Sequence, residues 1–179
     1  MILDSQLSFV PIGSPLTVTS AAVASPNVID LLGVGAGINP ANSSIFGNVT
    51  LFGAPDAMGV GGARPELNVT LGPLAWVSGT SLNVALQGAP DAGTPTFQPG
   101  TFTTYAETGL ILTAALLANT VIARFPWLPP FPANQRPRFL RLLFTPAGTF
   151  TVGTIASALV TTVRDDQFNK YAANNYKVA

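Results

Sequence analysis

Two short segments of this 179-residue chain alternate cleanly between aliphatic and polar or small positions: Leu67-Asn68-Val69-Thr70-Leu71 and Leu82-Asn83-Val84-Ala85-Leu86. A period of two sends successive side chains to opposite faces of a strand, so each segment predicts a strand with one face on a core. Residues 16–19 (LTVT) and 48–51 (NVTL) read the same way. Seventeen glycines and sixteen prolines cut the chain into short pieces of this kind, the spacing expected of an all-β sandwich or barrel.

The last third is more apolar. Leu140, Leu142 and Phe144 share one face of a predicted strand, and Phe139, Arg141 and Leu143 share the other. A strand apolar on both faces is central in its sheet or covered on both sides. Arg141 then needs a partner, because an unpaired buried guanidinium is prohibitively costly, and Asp30 is a candidate. Residues 148–153 and 155–163, rich in Thr and Val, predict two further strands. Residues 108–123 suit a strand, a short helical or turn segment around Ala114-Ala115-Leu116-Leu117-Ala118, and then a strand at 121–125. Pro126, Pro129, Pro130, Pro132 and Pro137 exclude regular structure between Phe125 and Arg138 and predict a stiff, extended loop that holds Trp127 and Phe131.

The length suits one domain with a proper core, placed at residues 1–164. Residues 165–179 are polar and Asn-rich yet carry Phe168, Tyr171 and Tyr176, a pattern that fits an arm docking on a partner. NVTLFGAPDA at 48–57 and NVALQGAPDA at 83–92 match at eight of ten positions. Two strands leaving through the same Gly-Ala-Pro-Asp turn explain the repeat, since Pro sets φ and Asp bonds its own backbone. A partial duplication is the other reading; two copies are too few for a solenoid.

Charge changes the picture. Eight basic residues balance eight acidic ones, so no basic field invites nucleic acid or an anionic membrane. Charged residues make up 9% of the chain, against roughly 25% for an ordinary soluble domain. Either a Thr/Asn/Ser-rich surface keeps the protein soluble, or much of the surface faces other subunits. No cysteine is present, hence no disulfide framework or thiolate metal site. No histidine is present either, which removes the commonest general base and metal ligand together. The opening Met1-Ile2-Leu3-Asp4-Ser5 lacks the basic region of a secretory signal, and residues 109–123 fall short of the roughly 20 apolar residues a membrane helix needs.

The remaining chemistry is sparse. Gly33-Val34-Gly35-Ala36-Gly37 misplaces the third glycine of a dinucleotide fingerprint, and Pro40 stands where the fingerprint's helix would run, so a loop is the reading. Asp165-Asp166 is the one adjacent acidic pair, and Asp30, Asp56, Glu66, Asp91 and Glu107 are scattered, with Asp56 and Asp91 assigned to turns. No acidic loop has the ligand density for calcium. An enzyme is not expected, and no cofactor or metal. Trp76, in an apolar segment, is read as core, whereas Trp127 in the stiff loop is read as an interface anchor. Asn42, Asn48 and Asn68 match the glycosylation pattern by chance in a chain without a secretion signal.

The opening MILDSQLSF, the segment Ser25-Pro26-Asn27-Val28-Ile29-Asp30-Leu31, and the blocks RPRFLRLLF and GTFTVGTIASALV resemble the capsid cement (decoration) proteins of tailed bacteriophages. The likeness covers both ends and the final third; residues 33–100 match only in pattern. It implies an all-β, jelly-roll-like antiparallel sandwich with extended termini, homo-oligomeric as dimer or trimer. It also implies a place on the outer surface of the virion's icosahedral head, where the partner is the major capsid protein. Candidate interface residues on this reading are Met1, Ile2, Leu3, Phe9, Trp127, Phe131, Phe168, Tyr171 and Tyr176, with termini bridging neighbours by strand addition. No direct contact with nucleic acid or membrane is expected. Two other classes stay open: a virion-borne carbohydrate- or receptor-binding module with Trp127 and Tyr105 as platforms, and a hydrolase built on an acidic pair.

Overall fold

The computed structural model describes residues 8–30, 65–92, 98–126 and 137–162. Within them the two alternating segments become inner strands of two different antiparallel sheets: β5 (Pro65–Leu71) and β6 (Ser81–Ala89). Leu67, Val69 and Leu71 on β5 and Leu82, Val84 and Leu86 on β6 are completely buried between the sheets. Full burial of each such side chain stabilises the fold by about 1.5–3 kcal/mol, which is why a period of two decides which face turns inward.

The first sheet runs β1 (Ser8–Val10), β11 (Thr154–Thr162), β5, β9 (Val121–Pro126), with β2 (Leu16–Thr17) also pairing β11. The second runs β3 (Val23–Ala24), β10 (Phe139–Ala147), β6, β7 (Thr103–Glu107), with β4 (Ile29–Asp30) on β10 and β8 (Ile111–Leu112) on β6. The partnerships are nested. β1 and β2 pair with the last strand, β3 and β4 with the last but one, β5 with β9, and β6 with β7 and β8. A single antiparallel ribbon wound over itself into two facing sheets has this order, and it is the jelly roll.

Antiparallel pairing throughout divides the sandwich into two ends. Pro65 opposes Thr162, Glu66 opposes Pro126, and Phe139 opposes both Asp30 and Ala89. Every strand end that leads out of the described residues lies at this end, which we call the clamp end. The other, the loop end, carries the connections 18–22, 72–80, 108–120 and 148–153, while residues 11–15 join β1 to β2 part-way along the edge of β11.

β10 lies between β6 on one side and β3 and β4 on the other, as its two apolar faces require. Leu140, Leu142 and Phe144 are fully buried in the core. On the opposite face Phe139 is buried while Arg141 and Leu143 are half-buried, so that face is covered near the start of the strand and opens further along. A bulge between Ile155 and Ser157 shifts the phase of β11, and Ile155, Ala158 and Val160 therefore all reach the core. Residues 108–126 form a strand, a 3-10 turn (Thr113–Ala115) and a strand, as the sequence predicts.

Two expectations need correction. Residues 148–153 are the connection between β10 and β11, with Val152 making one bridge to Val77, and do not form a strand. Their backbone donors go to separate loops, Phe150 N to Thr19 O at 2.9 Å and Thr151 N to Val77 O at 3.0 Å, so no ladder propagates. The strand predicted at 16–19 shortens to Leu16–Thr17, and Val18 turns into the core. Residues 48–51, the first copy of the repeat, and the arm at 165–179 lie outside the described residues.

The edge made by β3 and β4 shows why the chain breaks there. Pro26 has no N–H to offer a ladder. Ser25 takes over locally: its N–H donates to Leu142 O at 2.8 Å, and its hydroxyl accepts from Leu142 N at 3.1 Å while donating to Asn27 O at 2.8 Å. Asn27 then ties the edge to β1, donating from its side chain to Ser8 O at 2.8 Å and from its backbone to Phe9 O at 3.2 Å.

Candidate interaction surfaces

At the clamp end three chain segments meet on one cation. Arg138, just before β10, is 7% exposed. Its Nε and Nη2 donate to the two oxygens of Asp30 at 3.1 and 3.0 Å, and its Nη1 donates to Asp91. Its backbone N–H donates to Ala89 O at 2.9 Å. Asp30 closes β4 and Asp91 follows β6, so the guanidinium fastens the roots of three connections. The hydrogen bonds with Asp30 raise the Arg138 pKa above its ordinary value; burial opposes them and is outweighed.

The pairing expected between Asp30 and Arg141 is corrected: Asp30 serves Arg138. Arg141 points to the other side of the strand pair. It donates from Nε to Gln87 Oε1 at 2.9 Å and stacks on Phe102, its guanidinium carbon 3.8 Å from the ring centroid. A planar cation held by an amide and an aromatic face needs no carboxylate to be covered. The turn expected at Asp91 is corrected: Asp91 stays extended and forms an antiparallel bridge with Pro99, closed by Gly100 N donating to Pro90 O and Ala92 N to Gln98 O, both at 2.9 Å. Its ion pair is not legible in the turn pattern.

The loop end is built differently. Residues 72–80 and 108–120 lock together through backbone bonds: Asn119 N to Gly72 O at 2.9 Å, Leu71 N to Thr120 O at 2.9 Å, Trp76 N to Leu116 O at 3.0 Å and Thr113 N to Thr80 O at 3.1 Å. The Thr113 hydroxyl adds a bond to Gly79 O at 2.7 Å. Trp76 anchors the assembly. It is buried, meets Phe150 edge-on with centroids 4.8 Å apart, and donates from its indole nitrogen to Thr154 O at 3.3 Å. Core packing, the role read for it from sequence, is what the structure shows.

On this rigid base stand Leu74, Val77, Leu110, Leu112, Leu117 and Val121, each between 43% and 73% exposed. Only two other large aliphatic side chains among the described residues are comparably open, Ile12 and Val28. None of the chain's sixteen charged residues falls in 11–22, 72–80, 108–121 or 147–153. Among the described residues, six exposed aliphatic side chains therefore stand on or beside two neighbouring, mutually bonded connections that carry no charged residue, with Glu107 at the border of the second. Lone exposed leucines are ordinary, and it is contiguous exposed apolar patches that mark contact sites in proteins generally.

Of the interface residues proposed from sequence, Phe9 is corrected. It is fully buried in the core beside Val10, because β1 is held against β11 and its side chain fills the space between the sheets. Met1, Ile2, Leu3, Trp127, Phe131, Phe168, Tyr171 and Tyr176 lie outside the described residues. Tyr105 is half-buried, its ring so close to Gly88 that a methyl group there would sit 2.5 Å from Cε2. Among the described residues no group of three or more Asp, Glu, His or Cys is placed to hold a metal ion, and no helix is long and apolar enough to cross a membrane. No protein-family model matches the chain, and no curated protein matches it.

Proposed function

We propose that this protein is a structural decoration protein of a tailed-phage head, bound in many copies to the outside of the shell across capsomer boundaries. The observation that carries the reading is the division of the described jelly-roll surface into an aliphatic end whose connections hold no charged residue and an end where ion pairs fasten the strand roots. Such a surface suits lasting contacts with other protein subunits, and the described parts of the blocks that resemble cement proteins fall in β1, in β4 with the residues just before it, and in the β10–β11 hairpin. The work done is mechanical. Each contact is modest, and repetition on a fixed lattice multiplies its effect against outward pressure. The alternative of a glycan platform gains little from Tyr105, which is half-buried with its ring close over Gly88.

Quantifying this chain against the major shell protein in purified heads tests the proposal. A ratio near one, or a simple lattice fraction of it, is expected; a handful of copies or none overturns it. Trp127→Ala and removal of residues 1–7 are expected to lower occupancy on heads while the domain stays folded. The truncation stops before Ser8 because β1 belongs to the core sheet.

A further inference from the structure

We infer that Arg141 is a docking point for a carboxylate: its two terminal nitrogens receive an aspartate or glutamate side chain of a partner protein. The inference goes beyond the decoration reading and does not depend on it.

The geometry supplies a receptor that is already built. Arg141 stands on the face of β10 that turns away from the core, between Phe139 and Leu143, and is half-buried. Its Nε is taken by Gln87 Oε1 at 2.9 Å, and its guanidinium carbon lies 3.8 Å from the Phe102 ring centroid. Gln87 is itself buried and held, donating from Nε2 to the Thr104 hydroxyl at 3.2 Å. Among the described residues Nη1 and Nη2 meet no acceptor. Side-on pairing needs Nε, so the end-on edge is what remains, and its two parallel N–H groups match the two oxygens of one carboxylate. Stack and amide together hold the fork before any ligand arrives, so little rotamer freedom is lost on binding.

Charge selects the ligand. Arg141 is the one cation on the strands of the second sheet, and unlike Arg138 it has no carboxylate among the described residues. One fixed positive charge is neutralised by one monoanion. A phosphate monoester carries about 1.5–2 negative charges near neutral pH. It would keep an excess on a sheet that offers no second cation and holds Glu107.

The surroundings favour a protein side chain over a sugar acid. On the same face Phe139 and Ala85 are buried and Leu143 is half-buried. The polar side chains nearby are committed to one another: Asn83 Nδ2 donates to Glu107 at 3.0 Å, and Asn83 Oδ1 accepts from the Thr108 hydroxyl at 3.3 Å. Sugar hydroxyls would find few open partners there. An aspartate or glutamate brings a carboxylate on an aliphatic stem, and arginines held in this way are typical anchors of protein interfaces.

NMR of the arginine Nε–Hε signals of the isotope-labelled full chain tests this, with N-acetyl-glutamate N-methylamide as the probe. The Arg141 signal is identified by its loss in Arg141→Lys. It is expected to shift saturably, with half-saturation at roughly 10–100 mM, the range of a single charge-assisted pair. Arg138, already bonded to two carboxylates, is expected not to move. Inorganic phosphate and glucuronate at the same ionic strength are expected to act more weakly. Phe102→Leu, which removes the stack, is expected to weaken the probe by roughly 2- to 5-fold. Far-UV circular dichroism identical to wild type confirms that the variant is folded. A shift by the probe no greater than by sodium chloride at equal ionic strength overturns the inference, and undiminished affinity in Phe102→Leu overturns the stacked receptor. A stronger response to phosphate or glucuronate overturns the choice of a protein carboxylate. Saturable binding by a chain that is absent from heads would refute the decoration reading and leave this site standing.

Discussion

Replacing Arg138 with methionine isolates what the clamp contributes. The substitution keeps most of the aliphatic volume and removes a guanidinium that is 7% exposed and bonded to two carboxylates. Asp30, its side chain 18% exposed, loses both of its bonds from the guanidinium, and Asp91 loses the same cation. Removing one partner from a buried ion pair costs about 3–5 kcal/mol, and the 30% exposure of Asp91 lets water return, so we expect about 3 kcal/mol. For a domain of this size that corresponds to a melting point lower by about 6–12 °C. Asp91→Asn is expected to cost about 1 kcal/mol or less, because Arg138 keeps its two bonds to Asp30. Asp30→Asn should cost distinctly more. Urea unfolding followed by tryptophan fluorescence reads all three, and adding salt should narrow the differences only slightly because the pair is shielded from solvent. On pH the sign is clear. A cation whose folded-state pKa is raised contributes stability that is complete below its unfolded value and lost only as pH rises through the folded one, so Arg138 remains charged at any practical pH. A methionine variant within 1 kcal/mol of wild type, or equal costs for the two asparagine substitutions, would refute the clamp.

Other outcomes rest on the same geometry. Trp76→Ala removes the anchor of the loop end together with its edge-on contact to Phe150, and should lower unfolding free energy by about 3–5 kcal/mol in a denaturant titration. Gly148 has φ of 78°, and a methyl group there would sit 3.3 Å from Thr80 N. Gly148→Ala should therefore cost about 1–2 kcal/mol by thermal melting, and a neutral result would mean the turn relaxes freely. Arg141→Lys keeps the charge but loses the stacked plane over Phe102 and the Nε bond to Gln87, an expected loss of about 0.5–2 kcal/mol; chemical unfolding indistinguishable from wild type would show that charge alone is enough.

Much of the architecture was legible in the residues themselves. Strand phase is a local property: Leu67, Val69 and Leu71, like Leu82, Val84 and Leu86, declare their inward face through period two alone. The strand–turn–strand order of 108–126 and the burial of Trp76 were readable for the same reason, since each depends on neighbours within a few positions. Proline and glycine likewise mark breaks wherever they occur, and Pro26 at the β3–β4 edge is one.

Partner choice was not legible, because it depends on which segments the winding of the ribbon brings together. Asp30 lies 108 residues from Arg138 and Asp91 lies 47 away, and no spacing rule distinguishes Arg138 from Arg141 as their partner. The two differ by which side of β10 meets which loop, and only packing of the sheets decides that. Phe9 shows the same dependence: an aromatic near a terminus reads as a free anchor until β1 is laid against β11 and the ring falls between the layers. The loop end is the intermediate case. That residues 72–80 and 108–121 carry no charge is plain in the sequence, and so are their leucines. That they form one surface is a product of the jelly roll, which turns two connections far apart in the chain into hydrogen-bonded neighbours.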